Sequence, residues 1–217
     1  MQVHRFTFNP FQENTYVLAD AATGQCAILD PGCATRAEEQ QLADLIAREN
    51  LIPTALLLTH GHLDHVLGLD FAARTWHLTP HLHPLDLPTY RAAPLSATFF
   101  GVPPPHLPDA TVPLAAGTPV RFGETLLEML FTPGHTPGHV VFYHVPSLTL
   151  IGGDVLFAGS VGRTDLPGGD FPTLARSICE QLYSLPDAVT VHCGHGPATT
   201  IGQEKRTNPF VPASQGA

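Results

Sequence analysis

Apolar and polar positions divide the chain into short strands and a few helices. "VHRFTF", "TYVLAD" and "QCAILD" are rich in β-branched and aromatic residues and are separated by the turn signals "NPFQEN" and "AATG", which predicts three strands. "DPGCAT" interrupts this run. "RAEEQQLADLIAREN" then sets Ala37, Leu42, Leu45 and Ile46 at near-helical spacing, the mark of an amphipathic helix. "LIPTALLLTH" is continuously apolar and reads as a strand covered on both faces. "HVLGLDFAART" predicts one further helix.

Residues 77–119 break the pattern. The segment is crowded with proline and supports at most one short helix, around "PLDLPTYRAA". A long irregular connection inside a compact domain is commonly functional or mobile, and Phe99-Phe100 beside Gly101 are candidates to roof a pocket. Regular pattern returns with "VRFGETLLEMLFTP", "HVVFYHV" and "LTLIGGD", three strands, and with "FPTLARSICEQLYSLP", a helix whose first turn holds Pro172. "VTVHCG" is a last strand. Thr200 and Gln203 have capping-box spacing and start a short final helix. Strands, helix, strand, helix therefore occur twice, which predicts one domain over residues 1–217 with a sheet core and helices outside, and hints at an internal duplication.

Composition narrows the function. Hydrophobic residues are 43% of 217 and charged residues 13%, enough material for a sizeable core. Nineteen acidic residues against ten basic ones give a net charge of -9, which argues against a nucleic-acid partner held by Lys and Arg. No stretch has a signal-peptide pattern or approaches the roughly 20 apolar residues of a membrane span, so no membrane partner is expected. Cys26, Cys33, Cys179 and Cys193 form no C-x-x-C pair, which fits free thiols and a cytoplasmic location.

The candidate chemistry lies at strand ends. "THGHLDH" puts His60, His62, Asp64 and His65 directly after "TALLL". Burying such groups is costly unless positive charge lies among them. "TPGHTPGH" with His135, "IGGD" with Asp154 and "HCGHG" with His195 each follow an apolar strand and are flanked by Gly or Pro. Together they supply five imidazoles and two carboxylates, enough for two metal ions with one shared carboxylate. His60 and His62 can reach one ion, and Asp64 and His65 a neighbouring one. Nitrogen and oxygen donors of this kind suit zinc foremost, and iron or manganese also accept them. The other eight histidines, including His81 and His83, read as structural.

These motifs make the chain resemble the metallo-β-lactamase-fold superfamily, and within it the short glyoxalase II-like (hydroxyacylglutathione hydrolase-like) hydrolases. The resemblance is carried by "ILDPG", "LLLTHGHLDHVLGL", "FTPGHTPGHVVF", "LIGGDVLFAGSVGRTDLPGGD" and "GHGPATTIGQEKRTNPF". It implies an α/β fold, a four-layer αββα sandwich with the metal site at the sheet edges. It assigns His60, His62 and His135 to one metal, Asp64, His65 and His195 to the other, and Asp154 to the bridge. Asp30 matches a position that orients a ligand.

The activity so implied is cleavage of a small-molecule thioester, such as S-lactoylglutathione, by hydroxide held between two cations. Asp64 takes the nucleophile's proton, and a thiolate (reference pKa about 8.5) leaves without a strong general acid. Long glyoxalase II enzymes use basic residues of a C-terminal helical domain to hold glutathione carboxylates. Here the candidate contacts are Lys205, Arg206 and Arg163, the last with an internal Arg163–Asp165 pair as the competing reading. Two other activities in the superfamily stay open: a mono-iron persulfide dioxygenase using His60, His135 and Asp154, and a lactonase.

Overall fold

The structure, a computed structural model, describes residues 1–115 and 117–212. It has the mixed α/β class expected from the pattern, and its strands form two six-stranded sheets and one small hairpin. Two compact units are present. The first comprises residues 1–115 and 120–126, and the second is the rest of the described chain.

The first unit opens with β1 (Gln2–Phe8), β2 (Glu13–Ala19) and β3 (Gln25–Leu29), each antiparallel to the one before. Helix α1 (Arg36–Arg48) crosses over to β4 (Ile52–Leu57), which lies parallel to β3 with Leu29 opposite Leu57. Thr35 caps α1 in a capping box with Glu38, and Leu42, Leu45 and Ile46 face the core with Val17, Ile28 and Leu56. Parallel pairing puts the C-terminal ends of β3 and β4 at one edge of the sheet. Asp30 follows β3 there, and Thr59–His65 follow β4.

The single helix expected over "HVLGLDFAART" is two, α2 (Leu63–Val66) and α3 (Leu69–Trp76). Gly68 separates them: its amide donates to Pro31 O at 2.8 Å, and a Cβ there would stand 2.1 Å from Cys33 Sγ. The segment 77–119 is also more regular than expected. Apart from Ala116, which lies outside the described residues, it holds β5 (Pro80–Leu82), a 3₁₀ turn at Pro84–Asp86, the fourteen-residue helix α4 (Leu87–Phe100) and β6 (Val112–Pro113). Pro88 occupies the first turn of α4, where no amide is needed. Pro94 lies inside the helix, and burial of Tyr90, Ala93 and Ala97 offsets its cost. Both β5 and β6 extend the first sheet in parallel.

The second sheet runs β14-β13-β10-β9-β8-β7, from β7 (Val120–Phe122), β8 (Thr125–Phe131), β9 (Val140–His144), β10 (Thr149–Gly153), β13 (Thr190–Cys193) and β14 (Thr199–Thr200). The hairpin β11 (Leu156–Phe157) and β12 (Ser160–Val161) follows β10. Asp170 caps α5 (Phe171–Ser177), which continues as a π-helical stretch over Ile178–Leu182, and Thr200 caps α6 (Ile201–Thr207). The core gathers Val141, Leu150, Leu174, Ile178 and Val191. Strand β10 is antiparallel to β9 and parallel to β13, and β9 is antiparallel to β8. The C-terminal ends of β8, β10 and β13 therefore share an edge, and His135, Asp154 and His195 follow these three strands. Antiparallel strands and then a β-α-β crossover occur in both units, which is the plan that the repeated element order hinted at.

Candidate metal centre

In the first unit a buried carboxylate organises the donors. Asp30 is 1% exposed and adopts a left-handed backbone, φ 48°, a conformation in which Asp is tolerated. Its Oδ1 accepts the Thr59 amide at 2.7 Å, and its Oδ2 accepts the Thr59 hydroxyl at 2.6 Å. The same Oδ2 stands 3.1 Å from His65 Nδ1. The Thr59 proton is thus committed to Asp30, so its oxygen accepts from His60 Nδ1 at 3.0 Å. Both imidazoles carry their proton on Nδ1 and present the Nε2 lone pair. This is the tautomer that a metal-binding histidine needs when a neighbour holds its other nitrogen.

The His60 ring lies 4.8 Å from the His62 ring, at 87°, and 4.1 Å from the His65 ring. Asp64 and His65 occupy the first turn of α2, with Asp64 Oδ2 3.8 Å from His65 Nε2. Asn9 Nδ2 donates to the carbonyls of Gly32 and Asp64 at 2.9 and 3.0 Å, which fixes the backbone of this turn. Glu13 is fully buried nearby, its Oε1 3.9 Å from His65 Nδ1. Burial, partly countered by His65 and reinforced by Asp30, pushes the Glu13 carboxyl well above the usual carboxylate range.

The second unit holds its donors differently. Asp154 Oδ2 lies 3.6 Å from His135 Nε2 and 3.5 Å from His195 Nε2. Charge-assisted hydrogen bonds are shorter, about 2.7–2.9 Å. Donors around a tetrahedral ion with bonds of about 2.0–2.1 Å stand about 3.3–3.4 Å apart, so the spacing fits joint ligands. His135 Nδ1 donates to Arg163 O at 2.7 Å and again leaves Nε2 as the lone-pair nitrogen. Gly162 makes this approach possible, since a Cβ there would lie 1.8 Å from Asp154 O. A register shift between Ile151 and Gly153 bends β10 just before Asp154.

His139, read from sequence as merely structural, holds Asp154 in place. Its Nε2 accepts the Asp154 amide at 3.1 Å, so its proton is on Nδ1 and goes to Thr132 Oγ1 at 3.1 Å. Sequence offered only the second histidine of "TPGHTPGH" as a signal. Glu13 and His139 were missed for one reason: burial alone makes each of them distinctive.

The remaining candidates are engaged elsewhere or exposed. Phe99 is 87% exposed at the end of α4, and Phe100 packs edge-on against Phe11 with centroids 5.3 Å apart. Arg163 makes a two-pronged pair with Asp165, both contacts at 2.7 Å. Lys205 Nζ donates to Asp187 Oδ1 at 2.8 Å and to Leu185 O at 3.1 Å, and Arg206 Nη1 is 3.8 Å from Asp187 Oδ2.

Comparison with known proteins decides the family. A sequence profile of the metallo-beta-lactamase superfamily matches residues 8–195. The chain belongs to the metallo-β-lactamase superfamily. It is 38% identical to a probable metallo-hydrolase, YqgX, of Bacillus subtilis, over 97% of this chain and 98% of that one. It is also 38% identical to the hydroxyacylglutathione hydrolase GloC of Haemophilus influenzae, with the same two coverages. A solved structure, TTHA1623 in a di-iron-bound form, superposes with a TM-score of 0.84 at 44% identity, covering 96% of this chain and all of that one. The mixed α/β fold is that of this superfamily, and the chain is a metallo-hydrolase by family. No helix among the described residues is long and apolar enough to cross a membrane.

Proposed function

We propose that this chain is a dimetal hydrolase of the glyoxalase II type that cleaves a small-molecule thioester. The observation that carries the reading is the shared tautomer: His60, His65 and His135 each have Nδ1 held by a protein acceptor, which puts the ring's lone pair on Nε2. His60, His62, Asp64, His65, His135, Asp154 and His195 are the donors, and their nitrogen and oxygen chemistry fits zinc, iron or manganese. The similar protein in its di-iron form keeps iron in view. When bound, such cations acidify water and polarise a carbonyl. Asp64, partly exposed and with its main chain fixed by Asn9, accepts the proton of the attacking water. Asp30 keeps His60 and His65 aimed throughout, and Asp154 is held by His139 at its own amide. The likeness to GloC makes S-lactoylglutathione the first thioester to try.

The test begins with protein purified without chelator. Metal analysis is expected to give about two ions per chain, with thioester hydrolysis that Asp64→Ala lowers by about 10²–10⁴-fold. A chain that carries no divalent metal, or an Asp64→Ala variant that keeps wild-type activity, overturns the reading. One iron per chain transfers the proposal to persulfide oxidation.

A further inference from the structure

We propose that Asp86 is a positioning residue for the metal centre, fixing the His60–Gly61–His62 turn through the Gly61 amide and so setting how tightly the chain holds metal. The inference rests on the reading of these histidines as metal ligands. Asp86 belongs to the proline-rich segment and to none of the motifs that mark the family. Its side chain is 0% exposed, and a carboxylate is almost never fully buried unless it is engaged. It occupies the N-cap position of α4, where an Asp normally accepts from the amides of its own helix, yet it makes no such capping bond. Its Oδ2 instead accepts the amide of Gly61.

The packing around this bond explains why it matters. A Cβ on Gly61 would stand 2.6 Å from Tyr90 N and 2.7 Å from Tyr90 Cα, so the turn lies directly against the first turns of α4. That helix is itself firmly seated. Tyr90 donates its hydroxyl to Pro108 O at 2.8 Å, and Tyr90, Ala93 and Ala97 share one core cluster with Leu63 and Val66 of α2. Gly61 is the sole residue between two ligands whose rings stand at 87°. A rotation of its peptide redirects both rings at once, and only Gly, with its wide backbone freedom, fits the space. Asp86 removes that freedom.

The experiment titrates metal-free protein with Co²⁺ and follows its visible absorption, with affinity measured against a competing chelator. Asp86→Ala is expected to bind Co²⁺ about tenfold or more weakly, as loss of a group behind a metal ligand typically does, and with an altered spectrum. Asp86→Asn keeps an acceptor at the same place and is expected to stay close to wild type in both. Wild-type affinity and spectrum in Asp86→Ala overturn the inference, as does an Asp86→Asn variant that loses as much as Asp86→Ala. If Asp86→Ala does not fold, Asp86→Leu fills the volume without an acceptor and serves the same comparison. A wild-type chain that fails to bind Co²⁺ removes the metal-centre reading itself. Wild-type binding with an indifferent Asp86→Ala removes only this inference.

Discussion

The two units solve the same problem, aiming the side chains proposed to bind metal, with different materials. In the first, four donors lie within six residues after one strand, and buried carboxylates hold them: Asp30 behind His60 and His65, Asp86 on the turn between His60 and His62. In the second, three donors come from three separate strands, and uncharged groups hold two of them: Arg163 O for His135, and the His139 imidazole for the Asp154 amide. A contiguous cluster crowds several polar groups into one small volume, and a single anion can serve many of them. Dispersed donors need a partner each. Damage to the first unit should therefore be shared between ligands, and damage to the second should stay local.

The largest expected effect comes from Asp30→Ala. It strands the Thr59 amide, the Thr59 hydroxyl and His65 Nδ1 in the interior. Breaking such a buried set costs about 3–5 kcal/mol. Urea denaturation and metal analysis on one preparation should show stability and metal content falling together. Stability lost with metal content intact would break the comparison.

Glu204→Ala is the matching cut in the second unit. Glu204 is fully buried and accepts from Thr199 Oγ1, from the Gly159 amide at 3.0 Å and from Asn208 Nδ2 at 2.9 Å, and Asn208 Nδ2 in turn reaches Ser160 O. The variant should lose about 2–4 kcal/mol from unsatisfied donors and lost packing. Metal per folded chain should be unchanged, because His135 and Asp154 have their own supports. Metal loss in step with stability would show that the second unit shares damage as the first does.

The smallest effect concerns pH. Asp20 follows β2 and accepts from Thr125 Oγ1 at 2.8 Å and from the amides of Ala22, Thr23 and Glu124. The Thr125 hydroxyl foremost, then the amides of Thr23 and Ala22, hold its carboxyl far below the ordinary 3.8. A depressed folded pKa adds stability that is present above the ordinary value and is lost as pH falls through the folded one. Asp20→Asn should thus have a lower urea midpoint at pH 7, and the gap should close as pH drops below about 4. A gap that stays constant down to pH 2 would mean that the first unit's carboxylates act by shape and not by charge.

Much of this molecule is readable without coordinates, and the parts that are not have physical reasons. The order β3, α1, β4 was visible because period-two and period-3.6 patterns are local properties of the chain. Helix α4 was expected only as a short piece around "PLDLPTYRAA", and its full length was hidden because its two prolines look prohibitive. One sits where no amide is needed, and the other is offset by a buried face that only packing reveals. The helix expected across Gly68 divides because the amide of that residue is turned to the carbonyl of Pro31, from a distant segment. Asp86 and Glu13 carry no motif, His139 lies in one without standing out in it, and burial is what makes each of them chemically distinct.

By itself, then, the sequence determined the order of the main strands and helices outside residues 77–119, the chemical type of each proposed donor and the clustering of His60, His62, Asp64 and His65, since residue identity and local spacing are written along the chain. Tertiary structure alone decided which nitrogen of His60, His65 and His135 is held, that His139 supports the Asp154 amide, and which remote carboxylate accepts the Gly61 amide. Those choices follow from strand direction, register and burial, which bring together residues as far apart in the chain as Asp30 and His65.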